Sequence, residues 1–338
     1  MPLAAASDVT PTIAGDVLTA LPAWNRAPVV LVGADLAEDL RLIGPDPRPH
    51  VFVVSDHHVP DELFRIALGL GASQVIELPG SAGWLVEMLT DLTEQQVDRG
   101  QVIGVIGGTG GAGATTLACA LGQVAARTGP AVVIDCDPQG PGLDRMLGME
   151  RTDGFRWDAL CQTTGRLSAR ALREALPHRG NLGVLSWYVD HTVASLQAFA
   201  AREALSAARR GHRVVVLDLP RWPDPLIDEV AARCDRLVVA TVASVVGVAG
   251  AARMGARFVD HPDVVSVVRG EALAAADVQR AAGIPVLAQM RDQRGLTEAV
   301  DLGLGPLRTR RGPLARAVDA VLADLRLTEP ARGDGAAA

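Results

Sequence analysis

The sequence predicts an α/β protein, a mostly parallel sheet flanked by helices with a smaller α/β unit in front of it, and three observations carry that prediction. Short apolar runs alternate with longer amphipathic stretches along most of the chain. A glycine-dense loop from Gly108 to Gly113 joins one such run to a helix-forming segment. At 338 residues and 49% hydrophobic composition, the chain exceeds one average domain and can fill two cores.

Taken in order, Met1 to Asn25 is rich in Ala, Pro and Thr with little periodicity, so residues 1–27 are expected to be a mostly loose leader with one short helix. No basic n-region or apolar h-region opens the chain, which points to the cytoplasm. From Pro28, strands at Val29–Val32, Val51–Val54 and Gln74–Glu77, with helices at Asp61–Leu70 and Ala82–Leu92, make a small unit over 28–98. The polar stretch Gln95–Gly100 closes it.

A second series of strands fills residues 101–327: Val102–Ile106, Ala131–Ile134, Leu182–Leu185, Val214–Leu217, Leu237–Ala240, Val264–Val268 and Pro285–Leu287. Helices fit between most of them, as right-handed crossovers require, the first at Thr116–Arg127. The last helix, Pro313–Leu325, sets Leu314, Val318, Val321, Leu322 and Leu325 at helical spacing. Its polar face carries Asp319 and Asp324 beside Arg316 and Arg326, where a membrane-surface helix would be basic, so it is expected to pack on its own domain. Residues 328–338 read as a disordered tail. The uncharged runs Val102–Ala126 and Leu237–Ala252 are too glycine-rich or too short to span a bilayer, so no transmembrane segment is expected.

Composition narrows the function classes. The chain has no lysine, so all 32 positive charges are arginines, and against 39 acids they leave a net charge of −7. That balance gives no strong nucleic-acid footprint. Cys119, Cys136, Cys161 and Cys234 lie far apart without C-x-x-C spacing, so buried thiols are expected rather than disulfides or zinc. His57 and His58 have no accompanying acid or cysteine cluster and read as loop histidines.

The chemistry gathers at the glycine loop, Gly108, Thr109, Gly110, Gly111, Ala112, Gly113, Ala114, Thr115 and Thr116. A strand, such a loop and a helix N-terminus aim a row of backbone N–H groups at one point, which binds phosphate. The template G-x-x-x-x-G-K-[ST] fits Gly108 through Thr115, except that alanine stands where the lysine belongs. A rival reading uses the same residues: Gly108, Gly110 and Gly113 spell a dinucleotide fingerprint, with Asp135 as a ribose acid, which would make the chain a dinucleotide-dependent oxidoreductase. Against it stand Thr115 and Thr116, which a dinucleotide fold does not need. Asp135 and Asp137 after one strand, and Asp218 after another, can also serve magnesium and an attacking water.

The order of these motifs, ending in Gly283-Ile284-Pro285-Val286-Leu287 and Arg294-Gly295-Leu296-Thr297-Glu298-Ala299-Val300, resembles the MinD/ParA family of P-loop ATPases, most of all its CpaE/TadZ and actinobacterial septum-site-determining (Ssd) branch. The resemblance implies that residues 108–116 bind ATP or ADP, that Thr115, Asp135 and Asp218 serve magnesium, and that Asp137 is the switch acid of catalysis. It calls for no zinc and no flavin. The family motif K-G-G-x-G-K-T-T has Thr109 at its signature lysine and Ala114 at its phosphate lysine here; a small residue at the second position is common in the CpaE branch. The adenine-contacting asparagine is replaced near Val267–Arg269. Removing one positioned electrostatic donor costs about 10² to 10³ in rate, so hydrolysis is expected to be slow or absent. Arg145 and Arg221 are candidates for a compensating cation.

Residues 28–93 resemble the later half of a response-regulator receiver, a unit that relatives in the CpaE branch carry. The phosphorylated aspartate's place falls at Gly33 with Asp35 two positions on, the conserved lysine's at Leu78, while Ser55 and Pro79 match the switch hydroxyl and proline. A degenerate receiver used for protein docking is expected, with plain structural support as the alternative. The resemblance thus implies a cytoplasmic spatial regulator of septum placement or of a pilus or secretion assembly. It would bind proteins of that machinery, could form a homodimer, and would be recruited by them to the inner membrane face or septum. An active MinD/ParA-like ATPase is the alternative.

Overall fold

The computed structural model describes residues 11–56, 59–94, 100–162, 167–188 and 196–325. The expectations for His57 and His58, for the separator at 95–99 and for the tail at 328–338 concern residues outside these ranges. The chain divides into two compact units, residues 1–97 and 98–338.

The first unit runs α1 (Val17–Trp24), β1 (Val30–Gly33), α2 (Ala37–Ile43), β2 (Val51–Ser55), α3 (Asp61–Gly69), β3 (Gln74–Glu77) and α4 (Ala82–Glu94). Its strands form one parallel sheet in the order β1-β2-β3. The short helix expected in the leader is α1, and it packs into the core. Asp16 caps α1 by accepting from Thr19 N at 2.9 Å, and Val17 and Trp24 are buried with Val32, Leu40, Val53 and Leu63. The Trp24 indole N–H donates to the Asp46 carbonyl at 2.9 Å. A large aromatic buries its area and satisfies its one donor, which holds α1 in the core. Helix α2 was not foreseen: Glu38 and Asp39 put charge in its first turn, and only Ala37 and Leu40 are buried.

The second unit runs β4 (Gln101–Gly107), α5 (Ala114–Ala125), β5 (Ala131–Asp135), α6 (Leu143–Met146), α7 (Trp157–Leu160), α8 (Ala169–Ala175), β6 (His178–Arg179) and β7 (Leu182–Leu185). It continues with α9 (Ala198–Gly211), β8 (Val214–Leu219), α10 (Pro225–Ala232), β9 (Arg236–Val242), α11 (Val245–Arg257), β10 (Val264–Arg269), α12 (Ala275–Ala282), β11 (Val286–Met290), α13 (Leu296–Asp301) and α14 (Pro313–Asp324). The sheet order is β11-β10-β9-β4-β8-β5-β7-β6, parallel throughout except for the two-residue edge strand β6.

Alternation along β4 shows why the sheet is covered on both faces. Val102 and Ile106 join the core under α9, α10, α11 and α12, while Ile103 and Val105 join the core under α5 and α14. The last helix packs as expected, with Leu314, Val318, Val321 and Leu322 buried. The sheet order also decides against the dinucleotide fold. In that fold the loop-bearing strand pairs with the next strand in sequence, whereas β4 lies between β8 and β9, with β5 one place beyond β8.

Candidate functional site

The loop between β4 and α5 is held from below and open above. Gly108 N donates to the Ala240 carbonyl of β9 at 2.9 Å, anchoring its first glycine. Gly111 and Gly113 have φ of +71° and +94°, a region where any side chain is strained, so both positions need glycine. Gly113 caps α5 without a side chain of its own, leaving the first amides of the helix to bond an anion. Gly110 and Gly111 are exposed at the tip, and Ala114 and Thr115 are half-buried behind them.

The expected acids gather at the strand ends beside the loop. Asp135 of β5 and Asp218 of β8 are register partners on adjacent strands, 1% and 4% exposed. Burial pushes the Asp218 carboxyl up to about 7; the Thr115 hydroxyl donates to it and pulls the other way, and the Asp137 charge adds to the rise. Asp135 also stands well above the carboxylate range, from burial and then from the Asp218 charge. Half-buried Asp137 is raised by desolvation, against the amides of Gln139 and Gly140.

Asp135, expected as a magnesium ligand, has both carboxylate oxygens in protein hydrogen bonds. Asp137 N donates to one at 3.1 Å, and Leu143 N and the Ser186 hydroxyl to the other at 3.3 and 3.2 Å. Its backbone carbonyl accepts from the indoles of Trp157 at 2.7 Å and Trp187 at 3.1 Å. Asp135 is thereby fixed as the pivot from which the Asp137 loop departs, and neither indole signalled that from sequence.

Among the described residues no cluster of three or more His, Cys, Asp or Glu side chains is arranged to hold a metal alone. Magnesium takes one or two protein oxygens and fills its shell with water and phosphate. The Thr115 hydroxyl and Asp218 carboxylate, already in contact, fit that demand.

On the other side of the loop a cavity of about 330 Å³ opens between Ala112, Gly113, Thr116 and Leu117 of the loop and helix, Arg269 at the end of β10, and Asp292, Gln293 and Gly295 to Glu298 beyond β11. Its place at the C-terminal strand ends, beside a phosphate loop, is where α/β sheets bind ligands.

The two expected compensating arginines part company. Arg221 reaches the loop, its Nη1 3.5 Å from the Gly108 carbonyl. Arg145 is exposed on α6, beyond Asp137. Sequence reading passed over Arg269 as a cation: its Nη1 lies 3.5 Å from where a Cβ on Gly113 would stand. The signal was the strand-end position itself, read only for a missing asparagine.

Two expectations about the first unit can be placed, and one about the cysteines of the second. Gly33 ends β1 with the Asp35 carboxylate folded back over it. Ser55 is buried at the end of β2. Cys119, Cys136 and Cys234 are buried thiols and Cys161 is partly exposed, all free.

Residues 1–100 match a family described as the Rv3660c-like, CheY-like N-terminal domain. Over 319 residues the chain is 35% identical to the uncharacterized protein Rv3660c of Mycobacterium tuberculosis H37Rv, covering 92% of this chain and 88% of that one. Among solved structures it resembles a ParA family ATPase from Chlorobium tepidum TLS, with a TM-score of 0.58 at 12% identity over 67% of this chain and 98% of that one. It also resembles the septum site-determining protein MinD complexed with Mg-ADP from Pyrococcus horikoshii OT3, with a TM-score of 0.56 at 16% identity over 67% and 95%. The larger part of the chain therefore has the MinD/ParA-type fold, and the smaller part is receiver-like.

Proposed function

Because the chain belongs to the family of the mycobacterial protein Rv3660c, we propose that its members are spatial regulators of the CpaE/Ssd type, which hold a nucleotide weakly and hydrolyse it slowly or not at all. In this reading they act in the cytoplasm by binding proteins of a septum-placing or a pilus or secretion assembly, with the receiver-like unit as a docking module. One observation carries it: the amide nest and the Thr115–Asp218 contact persist while alanine stands in the phosphate-lysine position. Magnesium, if bound with a nucleotide, would neutralise phosphate charge beside Thr115 and Asp218. The chain's own residues supply the amides that orient the phosphates and the Asp137 carboxylate that can order a water. What they lack in the loop is the cation that stabilises the developing charge.

A second reading, an active ATPase, draws support from Arg221 and Arg269, both of which reach the loop. Steady-state ATP turnover by the unaltered chain, Ala114→Lys and Asp137→Ala separates the two. We expect no turnover above background from the unaltered chain and a gain in Ala114→Lys. Clear turnover that Asp137→Ala abolishes would establish the second reading instead.

A further inference from the structure

We infer that Arg269 takes over the phosphate charge the loop lost, and does so at the nucleoside end, so that the site binds a nucleoside diphosphate and gains little from a third phosphate. This rests on the reading of the loop as a nucleotide site.

The position of the guanidinium comes first. Arg269 ends β10 in register with Val242 of β9 and Met290 of β11, and its carbonyl accepts from Ala243 N at 2.8 Å. Its stem therefore starts from a backbone fixed on both sides. From there Nη1 reaches to within 3.5 Å of a Cβ built on Gly113, the residue that opens α5 and its free amides. An anion in that nest lies within reach of a planar donor fork suited to phosphate.

Its present partner is a weak competitor. Arg269 Nε stands 3.3 Å from Asp292, whose side chain is 84% exposed. An exposed ion pair of this kind contributes little, and a phosphate seated on the helix N-terminus has both the amides and the dipole in its favour.

The direction of the phosphate chain follows from what lies on each side of the loop. Thr115, Asp218, Asp135 and Asp137 crowd one side, where the metal and terminal phosphate belong. The cavity lies on the other, lined by Arg269 and its exposed partner Asp292 with Gly113, Thr116, Leu296 and Glu298, while Asp135, Asp137 and Asp218 do not line it. Arg269 thus faces the phosphates nearest the nucleoside, whereas the Walker lysine contacts the β and γ groups. A terminal phosphate would enter the side that holds Asp137 and Asp218 with no lysine in the loop to stabilise it.

Ligand-observed NMR titrations, which read millimolar affinities, test this on the full chain with adenosine, AMP, ADP and ATP in the presence of magnesium. The unaltered chain is expected to bind ADP and ATP within a few-fold of each other, AMP more weakly and adenosine weakest. Arg269→Gln should weaken ADP by about tenfold or more, since a charge-assisted pair is lost, and leave adenosine as it was. Arg269→Lys keeps the charge and should hold ADP within a few-fold. Adding Ala114→Lys to Arg269→Gln should restore ADP binding and introduce a preference for ATP.

Equal weakening of adenosine and ADP by Arg269→Gln would make the arginine a base reader and overturn the inference. So would ADP binding indifferent to Arg269, or a preference for ATP of more than about tenfold in the unaltered chain, the size of effect one charge-assisted contact has. Failure of the unaltered chain to bind any of the four would overturn the nucleotide reading together with it.

Discussion

Arg156 is a buried cation held on every side. Its Nε donates to Asp144 Oδ2 at 2.9 Å, both side chains being at most 5% exposed, its Nη groups donate to the carbonyls of Gly154, Glu150 and Thr152, and its guanidinium lies 4.8 Å from the Tyr188 ring centroid. Removing one partner of such a pair strands the other charge, which costs about 3–5 kcal/mol. Arg156→Met should lose that much in urea unfolding, and a loss under about 1 kcal/mol would mean that Asp144 is rehydrated at little cost. His212 gives a pH signature. Burial drives its imidazole from 6.5 down to about 4, against the Ala208 carbonyl and with a lesser push from Arg173. The unfolded chain takes up this proton near 6.5 and the folded chain near 4, so stability is full above the first value, falls between the two and levels off below the second. The loss amounts to about 3 kcal/mol. His212→Gln should flatten that part of the stability–pH curve. The loop glycines, Ala114 and the strand-end acids were legible because each sits next to a pattern that explains it. Arg269 was not, since its meaning depends on Gly113, more than a hundred residues earlier and two strands away in the sheet.

Helix α11 shows how one element sets the loop. A Cβ on Gly250 would stand 2.2 Å from the Gly108 carbonyl and 2.7 Å from the Thr109 methyl, so α11 touches the loop through a bare backbone. Gly250→Val should push the loop outward. Hydrogen exchange at the amides of Gly108 to Thr116 should then speed up while those of β5 stay protected; unchanged loop exchange would show that α11 gives way instead. Strands were read well because buried parallel strands appear as bare apolar runs, Val214-Val215-Val216-Leu217 most plainly, all buried in β8. Their ends were read short: β4 and β9 extend beyond the apolar run at both ends and β8 at one, because backbone pairing with neighbours continues where the side-chain pattern stops. The edge strand β6 has only His178 and Arg179, both exposed, and two polar residues carry no period to detect.

Each hydrophobic cluster is confined to one of the two units: Val17 to Leu89 in the first, Val102 to Leu322 in the second. Separate cores unfold separately unless the units stabilise one another. Calorimetry of the full chain should show two transitions, one of them reproduced by a fragment of residues 98–338, and one merged transition would show that the units support each other. The two-unit plan was legible in the polar break before Gly100, but the order of the large sheet was not. Strand succession alone does not say that β4 inserts between β8 and β9, and that insertion is what brings Asp218 to Thr115. The tryptophans divide just as cleanly. Trp84 and Trp222 are 40% and 37% exposed, while Trp157 and Trp187 are buried with ring centroids 5.7 Å apart, both bonded to the carbonyl of Asp135. With the two exposed indoles silenced by an aqueous quencher, the remaining emission comes from Trp24 and from a pair wired to the pivot of the Asp137 loop. Adding ADP with magnesium should then shift that emission if filling the nest moves the Asp137 loop, and an unchanged spectrum would show that its pivot stays fixed.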